Sequence, residues 1–165
     1  MAEIAKGIKL GPGMEAGTQM GPLVSDEQLR RVTGFLESGV TEGATTVTGG
    51  GRFGDQGYTR PDMKIVREEI FGPVVVAEPF RSLDEIAAGA NNTTYGLGAG
   101  IWTRDISKAH VLAKKLRAGT VWINCYNVFD ASLPFGGCKQ SGWGREMGHE
   151  ALEAYTEVKA VTTQL

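Results

Sequence analysis

LGAGIWTRDISKAHVLAKKLRAGTVWINCY, residues 97–126, decides the fold class of this 165-residue chain. Its last seven residues, TVWINCY (120–126), combine β-branched and aromatic side chains, the composition of a strand. Leu97 to Thr103 reads as an earlier strand. Between them Asp105 is placed to cap a helix whose Ile106, Ala109, Leu112, Ala113 and Leu116 recur at helical period and face inward. Lys114, Lys115 and Arg117 then sit where basic residues complement the helix dipole, and Gly119 follows as a stop. Upstream, Ser82 and Glu85 have capping-box spacing and open a helix through Leu83, Ile86 and Ala90, broken at Tyr95-Gly96. Val74 to Ala77 is apolar at every position, which suits a strand buried on both faces of a parallel sheet. Strand, helix, strand, helix, strand is the order of a right-handed βαβ layer, so the expected fold class is α/β.

Residues 1–24 carry Gly11, Pro12, Gly13, Gly17, Gly21 and Pro22 and read mostly as loop. Ser25 and Gln28 form another capping-box pair, with Asp26 and Glu27 at the positive helix start and Val24 spaced to staple against Leu29. Leu29, Val32, Phe35, Leu36 and Val40 are the expected inward face, and Gly39 or Gly43 the expected end. Thr45 to Thr48 is a short β-branched run. From Asn127 to Gly148 periodicity disappears into a long glycine-rich loop, and such loops are usually functional or disordered. A last helix is expected around His149 to Tyr155, followed by VKAVTTQL, a β-branched extended end that needs a distant partner.

With 17 basic and 19 acidic residues, a net charge of -2 and no run of like charge, the chain has no electrostatic footprint for nucleic acid or an anionic membrane. Its most apolar segment, Ile70 to Ala77, contains Gly72 and Pro73 and falls far short of the ~20 residues of a membrane span. The start, MAEIAKGIKL, lacks the pattern of a secretory signal, and two cysteines offer at most one disulfide. A reducing cytoplasm is the expected compartment, and a small molecule or another protein the expected partner.

Gly49-x-Gly51-x-x-Gly54 matches the dinucleotide fingerprint in letters, but DQGYTRP (55–61) cannot begin the helix that makes the fingerprint work, so it reads as a surface turn. Cys125 and Cys138 invite a nucleophile reading with His110 or His149 as base. Neither cysteine has a close basic partner in sequence, and the four residues lack metal-ligand spacing, so no catalytic or metal site is assigned to them. Tyr126, Phe129, Phe135 and Trp143 either line an apolar pocket or anchor the long loop. Glu68-Glu69 precedes Ile70-Phe71-Gly72-Pro73. In extended chain the two carboxylates point to opposite sides, so one can face a cleft beside Phe71 and accept hydrogen bonds from paired hydroxyls, as on a ribose.

EEIFGPV (68–74), NNTTYGLGAGIWTRD (91–105), GTVWINCYNVF (119–129) and LPFGGCKQSGWGREMG (133–148), with GPLVS (21–25) and EAYTEVKAV (153–161), closely resemble the C-terminal part of the NAD(P)-dependent aldehyde dehydrogenase superfamily. The pattern is most similar to the branch acting on retinal, aromatic, aliphatic or betaine-type aldehydes. The resemblance implies a partial catalytic domain over residues 1–152 and, over 153–165, a helix end with an oligomerisation strand. It implies oxidation of an aldehyde to a carboxylic acid with NAD or NADP. In that family a cysteine attacks the aldehyde, hydride passes to the nicotinamide, and a glutamate-activated water hydrolyses the thioester. Glu69 matches the carboxylate that holds the nicotinamide ribose and Phe71 the aromatic near the nicotinamide. Phe129 and Phe135 fall in the aldehyde tunnel, with Asn127 and Val128 nearby.

Cys125 and Cys138 do not match the catalytic cysteine, and the general base and Rossmann region also normally precede the segment present here. The chain alone is therefore expected to be inactive and not to bind NAD or NADP tightly. Its expected partners are a small-molecule aldehyde in the family context and a second copy or homologous subunit. A non-catalytic assembly module is the alternative. Between Tyr58 and Lys64 the family usually has about a dozen more residues, a gap that bears on where Glu69 and Phe71 are held.

Overall fold

The computed structural model describes residues 2–50 and 63–165. The chain divides into two compact units, Met1–Pro79 and Phe80–Leu165. The fingerprint glycines Gly51 and Gly54 and most of the Tyr58–Lys64 gap lie outside the described residues. Gly49 and Gly50 are described, and both turn with positive φ.

In the first unit, helix α1 (Ala2–Gly7) occupies part of the stretch expected to be loop, and it buries none of its residues. Helix α2 (Asp26–Thr41) starts where expected: the Ser25 side chain accepts from the Gln28 backbone N–H. The staple does not form, because Val24 is exposed to solvent. The buried face of α2 is Val32, Phe35 and Gly39, with Leu36 packed against it. Leu29 and Val40 do not belong to it. The i, i+3, i+4, i+7 stripe from Val32 runs to Gly39, and a Cβ there would meet Ile65 Cδ1 at 3.0 Å. Gly39 is thus a packing residue, while Gly43 (φ 92°) ends the helix. Its N–H donates to Val40 O and that of Ala44 to Gly39 O, the paired bonds of a Schellman motif. Helix α3 (Lys64–Arg67) adds Ile65 to the core. Met63, Ile65 and Ile70 join Val32 and Phe35, with Leu23, Ala44, Val66, Val74 and Val76 around them. Glu42 links α2 to α3, its carboxylate accepting from Ser38 Oγ (2.6 Å) and Lys64 N–H (2.7 Å). The Ser38 bond first, then that of Lys64, holds the carboxyl below its ordinary pKa.

Two expected strands of this unit do not form among the described residues. Thr45–Thr48 makes no named strand. Val74–Ala77 is extended, but its burial alternates: Val74 and Val76 pack on the core while Val75 is exposed. A continuous apolar run is buried on both faces only when sheet neighbours and a second layer cover it, and here a single core covers one side.

The second unit is built on the quoted stretch. Helix α4 (Leu83–Asn91) is capped by Ser82, which accepts from Glu85 N–H, and buries Ala87 rather than Ala90. Strand β1 (Gly98–Ile101), helix α5 (Ile106–Lys115) and strand β2 (Thr120–Ile123) follow. The strands pair in parallel with Gly98 opposite Thr120 and Ile101 opposite Ile123, the βαβ arrangement expected. Asp105 caps α5 by accepting from Lys108 N–H. That bond first among its contacts lowers the Asp105 pKa. Ala87, Ile101, Ala109 and Leu112 form the core, with Ile86, Ala113, Leu116, Val121 and Ile123 against it. Ile106 stays exposed. The helices thus cover the sheet face of Ile101, Val121 and Ile123.

The long loop after β2 is ordered by backbone pairing. Phe135 and Glu146 exchange two 2.7 Å hydrogen bonds, and Gly96 O accepts from both Gly119 N–H (3.0 Å) and Cys138 N–H (2.9 Å). The helix expected over His149–Tyr155 is a 3-10 helix that buries no residue, and the chain beyond it has no regular secondary structure and is exposed. Gly119 does not end α5, which stops at Lys115. Its use is close approach: a Cβ at Gly119 would lie 1.7 Å from Gly136 O. Gly119→Ala is therefore expected to lower the unfolding free energy by about 3 kcal/mol or more, since backbone cannot yield as a side-chain tip does. Urea denaturation followed by Trp fluorescence measures it, and a loss under about 1 kcal/mol is the contrary result.

Candidate functional site

Glu69 and Phe71 flank Ile70, and the burial of Ile70 in the first unit's core determines where they stand. Two side chains from α2 hold this stretch. Arg31 Nη2 donates to Glu69 O at 3.0 Å, and Gln28 Nε2 donates to Phe71 O. Neither contact was visible in the sequence, where Gln28 read only as the capping-box partner of Ser25. With its backbone fixed, Glu69 presents an exposed carboxylate that has no hydrogen-bond or ion-pair partner among the described residues. Glu68 is exposed as well, so the expected split between a water-facing and a cleft-facing carboxylate is not seen in this unit alone.

Phe71 is 74% exposed and has φ 56°. An aromatic residue in the left-handed region is a genuine outlier, costing roughly 1–2 kcal/mol. The following Gly72 lies so close to α2 that a Cβ would meet Val32 Cγ2 at 2.5 Å. Core packing on both sides of Phe71 therefore forces the turn, and the ring is carried out into solvent. Strain retained at an exposed aromatic is the kind of outlier that clusters at ligand clamps. The unpartnered carboxylate and the projecting ring suit a dinucleotide's hydroxyl pair and ring, which is the fit the resemblance calls for.

Phe129 and Phe135 belong to the second unit, and the structure brings them together edge to face with centroids 5.1 Å apart. Both meet Trp122, at 5.7 and 6.5 Å. Tyr126 lies 4.9 Å from Trp122 and 6.3 Å from Trp102. The result is an aromatic wall on the sheet face opposite the helices. It is possible because β1 shows bare backbone there: a Cβ at Gly98 would meet Trp122, and one at Gly100 would meet Trp102 and Tyr126. Trp122 is buried at the centre, and its Nε1–H donates to Val128 O at 2.8 Å, fixing the loop as it leaves β2. Asp130 Oδ1 accepts from the Ser132 hydroxyl and N–H (2.7 and 2.8 Å), a turn between the two phenylalanines. Those bonds lower its pKa, the hydroxyl contributing most. Sequence reading missed Trp102 and Trp122. The signal was available in the two-residue spacing of Gly98 and Gly100, which marks one face of a strand.

Trp143, weighed with these rings, is almost wholly exposed and makes no ring contact among the described residues. Cys125 and Cys138 are free thiols. Cys138 Sγ donates to Arg117 O (3.1 Å) and Gly96 O (3.4 Å), so it ties segments together. Among the described residues no histidine bonds either cysteine, and no group of three or more metal-ligating side chains is present. No helix among them is long and apolar enough to cross a membrane.

This α/β unit with its loop-borne rings, and the clamp on α2, occur in a sequence whose residues 1–161 match the aldehyde dehydrogenase family profile. The chain belongs to the aldehyde dehydrogenase family. It is 49% identical to the mitochondrial aldehyde dehydrogenase of Leishmania tarentolae, a match covering 95% of this chain and 33% of that one. It is 47% identical to aldehyde dehydrogenase 1A1 of Gallus gallus over 172 residues, 99% of this chain and 34% of that one. A solved aldehyde dehydrogenase of Bacillus cereus, in complex with NAD+, is similar in fold with a TM-score of 0.87 at 53% identity. That match covers 97% of this chain and 34% of the solved one. The chain thus spans about a third of the length of its relatives. The 1A1 match is longer than the chain itself, so that relative carries residues with no counterpart here.

The strain at Phe71 yields an expectation independent of any ligand. Phe71→Gly removes the left-handed penalty and forfeits little packing, so it is expected to raise stability by up to about 1 kcal/mol. Thermal and urea melts check this, and a clear loss of stability would show that the ring packs.

Proposed function

We propose that this chain forms part of the catalytic domain of an aldehyde dehydrogenase, supplying one wall of the cofactor site and one wall of the aldehyde channel. The carrying observation is the family match over residues 1–161 in a chain one third as long as its relatives. The overall reaction is oxidation of an aldehyde with NAD+ and water to a carboxylic acid, NADH and a proton. When bound, the nicotinamide supplies the hydride acceptor. Glu69 holds the ribose through its two carboxylate oxygens, and Phe71 packs beside the nicotinamide. Phe129 and Phe135, with Trp122 behind them, exclude water from the aldehyde and orient it by its apolar body. Similarity to the branch acting on retinal, aromatic, aliphatic or betaine-type aldehydes supports a substrate from that range, and all but the cationic betaine type have such a body.

The domain reading, a partial catalytic domain over 1–152 and an oligomerisation strand over 153–165, belongs to the same proposal. So does cytoplasmic residence. On this reading, which rests on the resemblance, the nucleophilic cysteine, the general base and the dinucleotide-binding region belong to the part of the family polypeptide outside this match. Loss of a covalent nucleophile alone typically costs on the order of a million-fold in rate. The purified 165-residue chain is therefore expected to give no steady NADH production from an aldehyde. Grafted in place of the corresponding third of a full-length relative, it is expected to support the reaction. Glu69→Gln in that graft should raise KM for NAD+ about tenfold, the weight of one charge-assisted contact. Turnover by the chain alone overturns the inactive part, and an unchanged KM overturns the role of Glu69.

Association with a second copy or a homologous subunit is the second reading, and one observation favours it. Val158, Val161 and Leu165 stand exposed on a segment without regular secondary structure. β-branched chain in that state is suited to strand addition. Light scattering after size exclusion is expected to show a dimer or larger, shifted to smaller species by deleting residues 157–165. A concentration-independent monomer argues against it.

A further inference from the structure

Asn124 follows the last residue of β2 and turns the chain with a left-handed backbone, φ 55°. Its N–H donates to Ile101 O at 2.7 Å, the last backbone rung between the two strands. The side chain then does what a further strand residue would do. Oδ1 accepts from Thr103 N–H and Nδ2 donates to Thr103 O, each at 2.9 Å, so both backbone groups of Thr103 are satisfied by one amide. Thr103 Oγ1 in turn accepts from the N–H of Asp105, the cap of α5. The exit of β2, the end of β1 and the start of α5 are joined through one side chain.

The residues beside this joint carry rings. Trp102 precedes Thr103, Tyr126 lies two residues past Asn124, and their rings approach to 6.3 Å, Tyr126 reaching on to Trp122. Beyond them the chain runs through Asn127, also left-handed at φ 56°, to Val128, whose carbonyl holds the Trp122 indole. We propose that Asn124 is the positioning residue of the aromatic wall, its amide replacing a backbone rung so that the chain can leave the sheet and deliver Tyr126 and Phe129 onto Trp122. Asparagine alone combines an acceptor and a donor at this reach with tolerance of the left-handed region. Aspartate lacks the donor, and glycine keeps the turn but lacks both groups. The inference rests on the aldehyde-channel reading only for what the wall is for.

Three variants separate the amide from the turn: Asn124→Gly, Asn124→Ala and Asn124→Asp. The readouts are hydrogen exchange of the Trp122 indole N–H by NMR and the near-UV circular dichroism of the rings, with far-UV dichroism reporting the fold. All three are expected to exchange the indole proton about tenfold faster and to lose aromatic dichroism. Asn124→Gly behaving like the parent chain overturns the proposal, because the turn alone would then suffice. Should the variants fail to fold, the parent chain decides: Asn124 Nδ2 hydrogens protected from exchange and close to Thr103 support the rung, and freely exchanging ones overturn it. Quenching of Trp fluorescence by 2-naphthaldehyde tests the wall's use. Quenching by the parent chain that all three substitutions weaken supports both ideas, and quenching undiminished in all three overturns the positioning role. If the parent chain shows none while the ring signature still collapses in the variants, the channel reading fails and Asn124 keeps its role.

Discussion

The second unit depends on one place where three backbones touch with no side chain between them. Gly96 O receives hydrogen bonds from Gly119 and from Cys138, and the chain at Gly136 lies against Gly119 closely enough that a Cβ could not be placed there. A Cβ at Gly96 would meet Arg117 O and Cys138 Sγ. The short distance is what lets a loop sit directly on the entrance to both strands. Lys139 then reaches Asn91 O and Thr93 O, while Ser141 Oγ accepts from Gly96 N–H, so the loop is laced along residues 91–96. Arg145 gathers the carbonyls of Gly137, Trp143 and Gly144 on the far side. Phe135 is held in this lattice through its paired bonds with Glu146. A segment without periodicity is thereby made as definite as a strand.

The same economy governs the two faces of the sheet. Alternation along β1 puts Ala99 and Ile101 on one side and Gly98 and Gly100 on the other. Side chains on the first side meet the helices and form the core. Bare backbone on the second leaves room for rings, which pack at 5–6 Å in tilted and edge-to-face arrangements, the geometry aromatic pairs prefer. Burial of one face stabilises the unit, while the other carries the packed rings around Trp122. In the first unit the division is made within three residues instead: Ile70 is core, and its neighbours Glu69 and Phe71 are pushed outward by its burial.

What the sequence made legible was local. Ser25, Ser82 and Asp105 cap the helices they were expected to cap, because capping uses partners three residues away. The parallel pair β1–β2 was legible for a related reason: a strongly patterned helix joins strands of clear composition. Val74–Ala77 was misread as buried on both sides because burial depends on layers that no window of residues reports. Of the two glycines read as the helix end, Gly43 serves and Gly39 does not, and Val40 was read as core although the stripe from Val32 advances by three and four and leads to position 39. Phe71 was read as the wall of a cleft beside Glu69, and its nicotinamide role came only through resemblance. Its left-handed backbone follows from the neighbouring Ile70 and Gly72 both being claimed by α2, a tertiary cause. Trp102 and Trp122 escaped notice because Leu97 to Thr103 was read as a strand without asking what its glycine face leaves room for.

Ten hydrophobic residues are buried among the described residues, no polar or charged ones are, and twenty-four large hydrophobics are exposed. Scattered surface apolar residues need no explanation, and ten of the twenty-four fall in three places. Trp102, Tyr126, Val128, Phe129 and Leu133 fall on the wall or beside it in sequence, Phe71 and Val75 on the irregular segment after α3, and Val158, Val161 and Leu165 on the tail. Units with cores of four or five buried residues have little apolar burial to spare. Leaving rings of this size in water forgoes several times the ~1.5–3 kcal/mol that covering one of them would contribute. Within each unit, then, apolar residues are left exposed beside what the core does not cover: the rings on the sheet face opposite the helices in the second unit, and Phe71 beside the packed Ile70 and Gly72 in the first.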